Sequence, residues 1–444
     1  MNKATIIENL KLAAAGATKE LPNSEVNFRV FGGDDVRIAF GPPGSTPKPP
    51  PPVPEDQITK RTFVLTGESL RAYESAVDEV LSDSTIGPLV GRKPVDGALT
   101  EVVRNLISST TSLDEPSLRD VLKGLRAMVT QLEVVVPIYG IDLAAVGEIR
   151  LGRVRIAPLT VATQSVYARV LSQVNQSAES PERHALVFHE TATTIDSCFA
   201  GATALGFVPV VASEGRGHFI ALSELSRVLS LLRYFCYWTE DRAHFPMFGT
   251  RQDVHSSASG TVCFAEGAFN FHVERFGLYN LQWTEQKAQW VKQACHWDEL
   301  SNLLAIEIPS PLGGAILTAV SWVGRASTAD TDAIALMSSV VAQEALLFKD
   351  GESNSADVFA KRLIHACGGS TKEERLNLYG HIKRIYDLRS RIVHQGLTYV
   401  DKADADLAKG LAAGLIHAAT TRFVGGEDLG EMIADLEGSQ LGGT

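Results

Sequence analysis

The sequence contains few cysteines, no long apolar run and no excess of basic charge. Its five cysteines lie far apart and form no CxxC pair, which argues against a structural zinc site or a disulfide framework. Nowhere are about 18 consecutive residues apolar, and the first residues lack the unbroken apolar stretch of a signal peptide. We therefore expect a cytoplasmic protein without a membrane-spanning segment, a bound metal or another cofactor.

The charge balance is acidic, with 41 Lys and Arg against 52 Asp and Glu and a formal net charge of −11. This balance argues against nonspecific binding of nucleic acid through overall charge, but it leaves room for a local basic site. Residues 423–444 are Gly-rich and carry five acidic residues with no Lys or Arg. We expect residues 425–444 to form an acidic, flexible tail.

A length of 444 residues suits two or three domains, and shifts in composition divide the chain. Residues 1–40 include an alternating pattern around Gly32 and Gly33 that predicts a β-hairpin. Stacked prolines at residues 41–56 predict a polyproline II segment, either a stiff linker or a docking site for an SH3-like or WW-like domain. Residues 57–281 show patterns typical of a mixed α/β domain.

The predicted fold class is α+β overall, with an N-terminal mixed α/β region that has β-rich segments and an all-α C-terminal bundle. Strands are predicted at residues 61–67, 185–190 and 207–213 and within 132–161, and helices at 68–81, 116–132 and 221–238. Five consecutive helical patterns with short Gly, Ser and Asp breaks predict a helical bundle within residues 282–424.

Three tryptophans mark the start of that region. Trp283, Trp290 and Trp297 recur every seven residues, which predicts that they share one helical face. A platform for stacking bases has this pattern, but aromatic residues at helical spacing more often fill a core. We therefore favour a buried apolar seam.

The residues that carry chemistry close the fourth helical pattern, at residues 385–396, IYDLRSRIVHQG. Four apolar residues spaced by three, four and seven positions predict its buried face, namely Leu378, Ile382, Ile385 and Ile392. Arg389 lies on that same face, where an arginine is costly unless it is paired or exposed at a shared surface. Gly396 is placed to end the helix, which leaves His394 in its last turn.

Arg389 and His394 are five residues apart, which at about 100° per residue is a rotation of about 140°. In a straight helix, two side chains with this rotation do not share a face. To act together they need either a break in the helix near His394 or a second copy of the chain. The spacing therefore predicts a homodimer if the two residues form one site.

The segment Tyr386–Gly396 resembles the R-x4-H signature of the HEPN ribonuclease superfamily, in the form that is typical of its Apea-like branch. The likeness covers about residues 305–424 and includes Glu344, whose helix resembles the acidic helix of the family. Many members of the family carry Asn or Asp after the motif arginine, where this chain has Ser390.

The resemblance implies a metal-independent endoribonuclease whose composite active site forms between the HEPN domains of a homodimer. RNA, with tRNA as one candidate, supplies its own nucleophile in the 2′-hydroxyl. Arg389 and His394 would be catalytic, since imidazole moves protons and a guanidinium stabilises phosphate charge. A further implication is prokaryotic antiviral defence or toxin-like growth arrest, in which residues 57–281 sense an invader-derived trigger.

Further residues of the motif region are candidates for supporting roles, namely Ser390, Glu344, Tyr386 and Asp387. The basic side chains that would bind RNA are Lys383, Arg384 and Arg391. Arg391 is also placed to pair with Asp387, four positions earlier on the helix.

A second interpretation of the same residues is structural. Arg389 would then pair with Glu344, and His394 would only end the helix. The domain would be a non-catalytic HEPN module for dimerisation or nucleotide sensing, because a fold can persist without its activity.

Overall fold

The computed structural model describes residues 1–17, 28–31, 37–38, 63–108, 113–177, 181–239, 248–250, 253, 258–265, 268–275, 281–349, 351–352, 355–368 and 371–438. The chain divides into two compact units, Met1–Leu132 with Val210–Ile220, and Glu133–Pro209 with Ala221–Thr444. This division differs from the boundaries predicted at residues 56 and 281. The Pro-rich stretch at residues 41–56 lies outside the described residues.

The first unit combines helices with a small antiparallel sheet. Its elements are α1 (Lys3–Ala15), β1 (Phe28–Phe31), β2 (Arg37–Ile38), β3 (Phe63–Thr66), α2 (Gly67–Leu81), α3 (Gly87–Val90), α4 (Arg92–Ser108) and α5 (Glu115–Ala127). The strands pair antiparallel in the order β2-β1-β3, so the strands of the predicted hairpin are paired with each other. Helix α1 also lies within residues 1–40, where only the hairpin was predicted.

A single apolar core joins the helices of this unit. Helix α2 contributes apolar residues at helical spacing, and these are buried: Ala72, Tyr73, Ala76, Val77 and Val80. They cluster with Ile6 and Leu10 of α1 and with apolar residues of α4 and α5. Burial of one face of each helix is what stabilises short helices such as these, since isolated helices of this length are marginal in water.

The elements that follow along the chain contain most of the remaining strands. They are β4 (Thr130–Ile138), β5 (Ile141–Asp142), β6 (Ile149–Leu151), β7 (Val154–Pro158), α6 (Leu159–Ser177), α7 (Pro181–Phe199), β8 (Ala204–Ala212), α8 (Glu214–Thr239), β9 (Ala258–Ala265), β10 (Ala268–Arg275) and β11 (Leu281–Gln282). One sheet has the order β4-β8-β7-β6, with β7 antiparallel to both β6 and β8. Strands β9 and β10 pair antiparallel, and β5 and β11 pair parallel.

One strand prediction in this region is wrong and another is confirmed. Residues 185–190 lie in helix α7 rather than in a strand. A short apolar run does not distinguish a strand from a buried helical segment, because both are apolar over that length. The strand predicted at residues 207–213 is confirmed by β8.

The C-terminal part of the second unit is entirely helical among its described residues. It contains α9 (Glu285–Ala294), α10 (Trp297–Ala305), α11 (Pro311–Ser327), α12 (Asp332–Leu347), α13 (Ala356–Cys367), α14 (Lys372–Gln395), α15 (Lys402–Val424) and α16 (Leu429–Gly438). The five helices predicted from periodicity correspond to α11 to α15. Helix α12 packs against α11, α14 and α15. The protein is therefore mixed α+β and mostly helical, and none of its described helices combines the length and apolar character needed to cross a bilayer.

The three tryptophans do not share a helix, so that prediction is wrong. Trp283 precedes α9, Trp290 lies within it, and Trp297 begins α10 after the chain turns at His296, which has a φ of 53°. Trp283 and Trp297 are buried with ring centroids 6.2 Å apart, whereas Trp290 is exposed. Two of the three rings thus pack in a core, although a turn rather than a helical face brings them together.

Helix α16 corrects the expectation of a flexible acidic tail for the described residues 429–438. Its apolar residues are buried, namely Met432, Ile433 and Leu436. Its carboxylates are paired, because Asp435 lies 2.6 Å from Arg422 and Glu437 contacts the buried Arg362. The glycines and the excess of acidic residues concealed an amphipathic helix.

Acid should weaken the docking of α16. Hydrogen bonding from Arg422 holds the pKa of Asp435 below its ordinary value of 3.8. A carboxylate whose pKa is lower in the folded state stabilises the fold above its ordinary pKa and loses that contribution as the pH falls. We expect the hydrogen-exchange protection of α16 to be constant from about pH 7 to 5 and to fall below about pH 4.5. Asp435→Asn should reduce this dependence on pH. In the wild-type protein, protection of α16 that persists unchanged to about pH 3 would contradict the predicted weakening by acid.

Truncation of Ile385 should destabilise the helical region far more than truncation of Leu376 on the same helix. Ile385 is 1% exposed and Leu376 is 56% exposed. Ile385→Ala leaves a cavity and should lower the free energy of unfolding by about 2–5 kcal/mol. Leu376→Ala should change it by less than about 0.5 kcal/mol. Urea titrations followed by circular dichroism compare the two variants. Equal losses of the free energy of unfolding would contradict the packing of α14.

Candidate functional site

Helix α14 carries the candidate site, and local sequence determines where it begins and ends. The Thr371 hydroxyl accepts a hydrogen bond from the Glu374 N–H, and the Glu374 carboxylate accepts one from the Thr371 N–H. This reciprocal capping box satisfies two amide groups at the start of the helix. Gly396 has a φ of 67°, the left-handed conformation that favours glycine, and it ends the helix as predicted.

The buried face of α14 follows the predicted spacing only in part. Ile382 and Ile385 are buried, whereas Leu378 and Ile392 are half-buried. This face packs against α12, α13 and α15. The middle of α14 is therefore anchored in the bundle, and its last turn is more open to solvent.

Arg389 is paired with Glu344 of helix α12. Its Nη2 donates to Oε2 of Glu344 at 3.1 Å, and the two side chains are 25% and 12% exposed. A carboxylate so far removed from water is stable only with a positive partner. The Nε atom of Arg389 is buried and has no hydrogen-bond partner among the described residues. The pairing foreseen as the structural role of Arg389 is thus present.

Tyr386 completes this group. Burial raises the pKa of its hydroxyl, and the negative charge of the neighbouring Glu344 raises that pKa further. The Tyr386 ring also packs against the ring of Phe359, and the two ring centroids are 4.7 Å apart. The structure therefore brings together three of the predicted site residues, Glu344, Tyr386 and Arg389.

His394 lies apart from this group within one chain. It is exposed in the last turn of α14, and the helix is unbroken through Gln395. A rotation of about 140° therefore separates His394 from Arg389, which faces α12. Of the two ways for these residues to act together, a helix break is not observed, which leaves a second copy of the chain.

The other candidates on α14 differ in how they are engaged. Arg384 lies 2.7 Å from Asp404 of α15, whose side chain is almost buried. The Lys383 ammonium lies 5.4 Å from the centre of the Tyr379 ring, and Lys383 is otherwise exposed. Arg384 is thus paired with an acid although its side chain is 61% exposed, and Lys383 is accessible as well.

Arg391 is the cation of the motif that keeps its charge accessible. It is exposed, and over the ranges that the structure describes it makes no ion pair with Asp387 or any other acid. The pairing with Asp387 foreseen as an alternative is therefore not observed. Asp387 itself is exposed, and Ser390 is half-buried beside Arg389 in sequence.

Sequence reasoning missed two residues that border the site. Asp404 neutralises Arg384, and nothing in the local sequence indicates that pairing, because the two residues lie on different helices. Tyr399 is 80% exposed in the connection from α14 to α15. The sequence does contain a signal for Tyr399, because this aromatic residue lies in a short connection between Gly396, which ends one helix, and Asp401, which caps the next.

Neither a group of metal ligands nor the cleft lined by Trp283 is found at the described surface around α14. Within the described ranges, no three His, Cys, Asp or Glu side chains are grouped as metal ligands. A cleft of about 630 Å³ is lined by β6, α9 and the two buried tryptophans Trp283 and Trp297, and by no residue of α12 or α14. The candidate residues on α14 therefore form an open surface that is separate from this cleft.

Removal of the Glu344 charge should lower the pKa of Tyr386 towards its ordinary value of 10.0. In Glu344→Gln the neutral amide no longer disfavours the phenolate of Tyr386. Burial, which is the larger cause of the raised pKa, remains. The pKa should therefore stay above its ordinary value. NMR titration of tyrosines labelled with carbon-13, assigned with Tyr386→Phe, measures the change. Glu373→Gln, at an exposed position of α14, is the matched control, and an equal pKa in all variants would contradict the proximity of Glu344 to Tyr386.

No protein-family model, no curated protein and no solved structure matches this chain.

Proposed function

We propose that this protein is a metal-independent endoribonuclease whose active site is assembled from the C-terminal helical domains, residues 282–424, of two copies. One observation carries the proposal. A single straight helix exposes His394 to solvent, while a nearly buried carboxylate holds Arg389 of the same helix in place. The resemblance of residues 385–396 to the HEPN ribonuclease motif supports the same assignment.

The residue types suit the cleavage of RNA. His394 takes the proton from the 2′-hydroxyl, and the imidazolium so formed, or a proton from solvent, protonates the leaving 5′-oxygen, since imidazole exchanges protons near neutral pH. The 2′-oxygen bonds to phosphorus and the bond from phosphorus to the 5′-oxygen breaks. The products are a 2′,3′-cyclic phosphate and a 5′-hydroxyl, so the reaction consumes no water and needs no external nucleophile.

Arg389 can stabilise the phosphate because Glu344 does not use all of its donors. A guanidinium carries five N–H donors, and one hydrogen bond from Nη2 joins it to Glu344. The Arg389 side chain is 25% exposed, which leaves an accessible edge. Glu344 thereby acts as a positioning residue that orients this edge, and a phosphate from RNA bound by the partner copy would accept hydrogen bonds from Nη donors that Glu344 leaves unused.

The same ion pair favours a second candidate function. An arginine whose charge is already balanced by Glu344 serves the packing of α12 against α14 without any catalysis. The chain would then be a dimerisation or nucleotide-sensing scaffold with an inactive site. We place the nuclease first because His394, which a scaffold does not need, is exposed at the end of the same helix.

The wider role that we propose follows from the nuclease. An enzyme that cleaves tRNA or other cellular RNA arrests growth, which suits prokaryotic antiviral defence or a toxin. Residues 57–281 would restrain the nuclease until an invader-derived trigger is present.

Incubation with total RNA and tRNA in EDTA tests the nuclease. The wild-type protein should produce fragments with 2′,3′-cyclic phosphate ends, and Arg389→Ala and His394→Ala should each lower the rate by at least about 100-fold. His381→Ala is the matched control, because His381 is another exposed histidine of α14. It should cleave as the wild type does.

Mixing the two inactive variants tests whether the site is shared between copies. If Arg389 of one copy acts with His394 of the other, exchange of subunits should restore up to about a quarter of the wild-type rate. No restoration after confirmed exchange would place both residues in one chain and contradict the shared site. Wild-type protein that dimerises but never cleaves RNA, with or without added phage lysate, would favour the scaffold. Arg389→Lys, which keeps the positive charge beside Glu344, separates a loss of catalysis from a loss of folding.

A further inference from the structure

Tyr399 is an exposed aromatic residue beside the proposed site. Its side chain is 80% exposed, and it lies five residues beyond His394 in the connection between α14 and α15. A chain of five residues spans no more than about 18 Å, so the ring stays within reach of a nucleotide that meets His394. An aromatic side chain left open to water at such a position has no role in the core of its own chain.

The backbone that carries Tyr399 is held on both sides. The Leu397 N–H donates to the carbonyl oxygen of Arg391 at 3.3 Å, which closes the end of α14. Val400, the next residue after Tyr399, is 4% exposed, and Asp401 caps α15 by accepting from the Ala403 N–H at 2.9 Å. The ring is therefore presented from an ordered segment, which reduces the entropy lost when a ligand binds it.

An accessible cation accompanies the ring. Arg391 and His394 are three positions apart, so they are neighbours on one face of α14. Both are exposed, and in the described part of the chain Arg391 makes no ion pair. Arg384 is paired with Asp404, and Arg389 points about 140° away from His394 around the same helix. Arg391 is thus the arginine of α14 best placed to meet a phosphate beside His394.

We propose that Arg391, His394 and Tyr399 form one surface that binds an unpaired nucleotide of RNA, with its base stacked on Tyr399 and its phosphate beside Arg391. This inference rests on the proposed nuclease, because it requires that His394 meets RNA. In a duplex, each base is covered by its neighbours, so a protein ring stacks best on bases of single-stranded loops and ends. The surface therefore selects unpaired RNA over duplex RNA.

Binding of a labelled oligonucleotide tests the stacking. The background is full-length His394→Ala, which cannot cleave, and the probes are a short fluorescein-labelled single-stranded RNA and the same strand annealed to its complement. Tyr399→Ala should weaken binding of the single strand about 5- to 150-fold, which corresponds to about 1–3 kcal/mol for one stacked base. Tyr399→Leu should lose affinity similarly, because it is apolar but has no ring. Tyr399→Phe should stay within about twofold of the parent protein.

Two comparisons make the result specific. Ile308→Ala is the matched control, since Ile308 is 86% exposed in the same helical region but lies outside the proposed surface. It should bind as the parent does, and Tyr399→Ala should leave binding of the duplex unchanged. Arg391→Gln should reduce the slope of log affinity against log salt by about 0.7, the value for one phosphate of a single strand, whereas Tyr399→Ala should not change that slope.

The outcomes separate this proposal from the nuclease itself. If Tyr399→Ala binds the single strand as tightly as the parent while wild-type protein cleaves RNA, the stacking is overturned and the nuclease stands. If Tyr399→Ala instead converts a dimer to a monomer in sedimentation, the ring belongs to an interface between copies and the proposal is overturned. If wild-type protein cleaves nothing but Tyr399 still governs binding of the single strand, the nuclease fails and the RNA surface stands.

Discussion

The ion pair between Glu344 and Arg389 is the constraint on which the candidate site depends. Helix α12 packs against α11, α14 and α15, so a carboxylate on it is largely removed from water and requires a positive partner. Arg389 supplies that charge, and together with the buried Ile382 and Ile385 it fixes the rotation of α14 about its own axis. Because α14 continues unbroken through Gln395, this rotation directs His394 away from α12 and into solvent. The contact that balances this nearly buried charge, together with the buried isoleucines, thus decides which side chains of α14 remain accessible to RNA or to a second copy.

The arginines of this helix show why a count of charges describes a binding surface poorly. Arg384 and Arg389 are balanced by carboxylates of neighbouring helices, whereas Arg391 makes no ion pair among the described residues. The acidic end of the chain behaves similarly, since Asp435 and Glu437 contact arginines and do not project freely. A net charge of −11 therefore says little about the local field. The field at a phosphate depends on which cations the fold pairs with carboxylates, which it leaves without an ion pair, and how exposed each one is.

Periodicity predicted α11 to α15 because each of these helices buries one face and ends at a short polar break. It failed where the pattern was short or interrupted. The apolar run at residues 185–190 is compatible with a strand and with a helix, and the turn at His296 separates tryptophans whose spacing matches a single helix. Helix α16 was missed because glycines and carboxylates make up half of its residues, whereas its stability comes from three buried apolar residues and from Arg362 and Arg422.

By itself the sequence determined the ends of α14 and the angle between its two motif residues. The capping box at Thr371, the left-handed Gly396 and the five-residue spacing from Arg389 to His394 all depend on neighbours within a few positions along the chain. Only the tertiary structure decided that Arg389 meets Glu344, that Arg391 keeps its charge accessible and that Tyr399 is exposed. Glu344 and Arg389 are 45 positions apart. Local propensity carries no information about contacts across so large a separation in sequence. The packing of α12 against α14 and α15 decides which of these side chains meet and which remain in solvent.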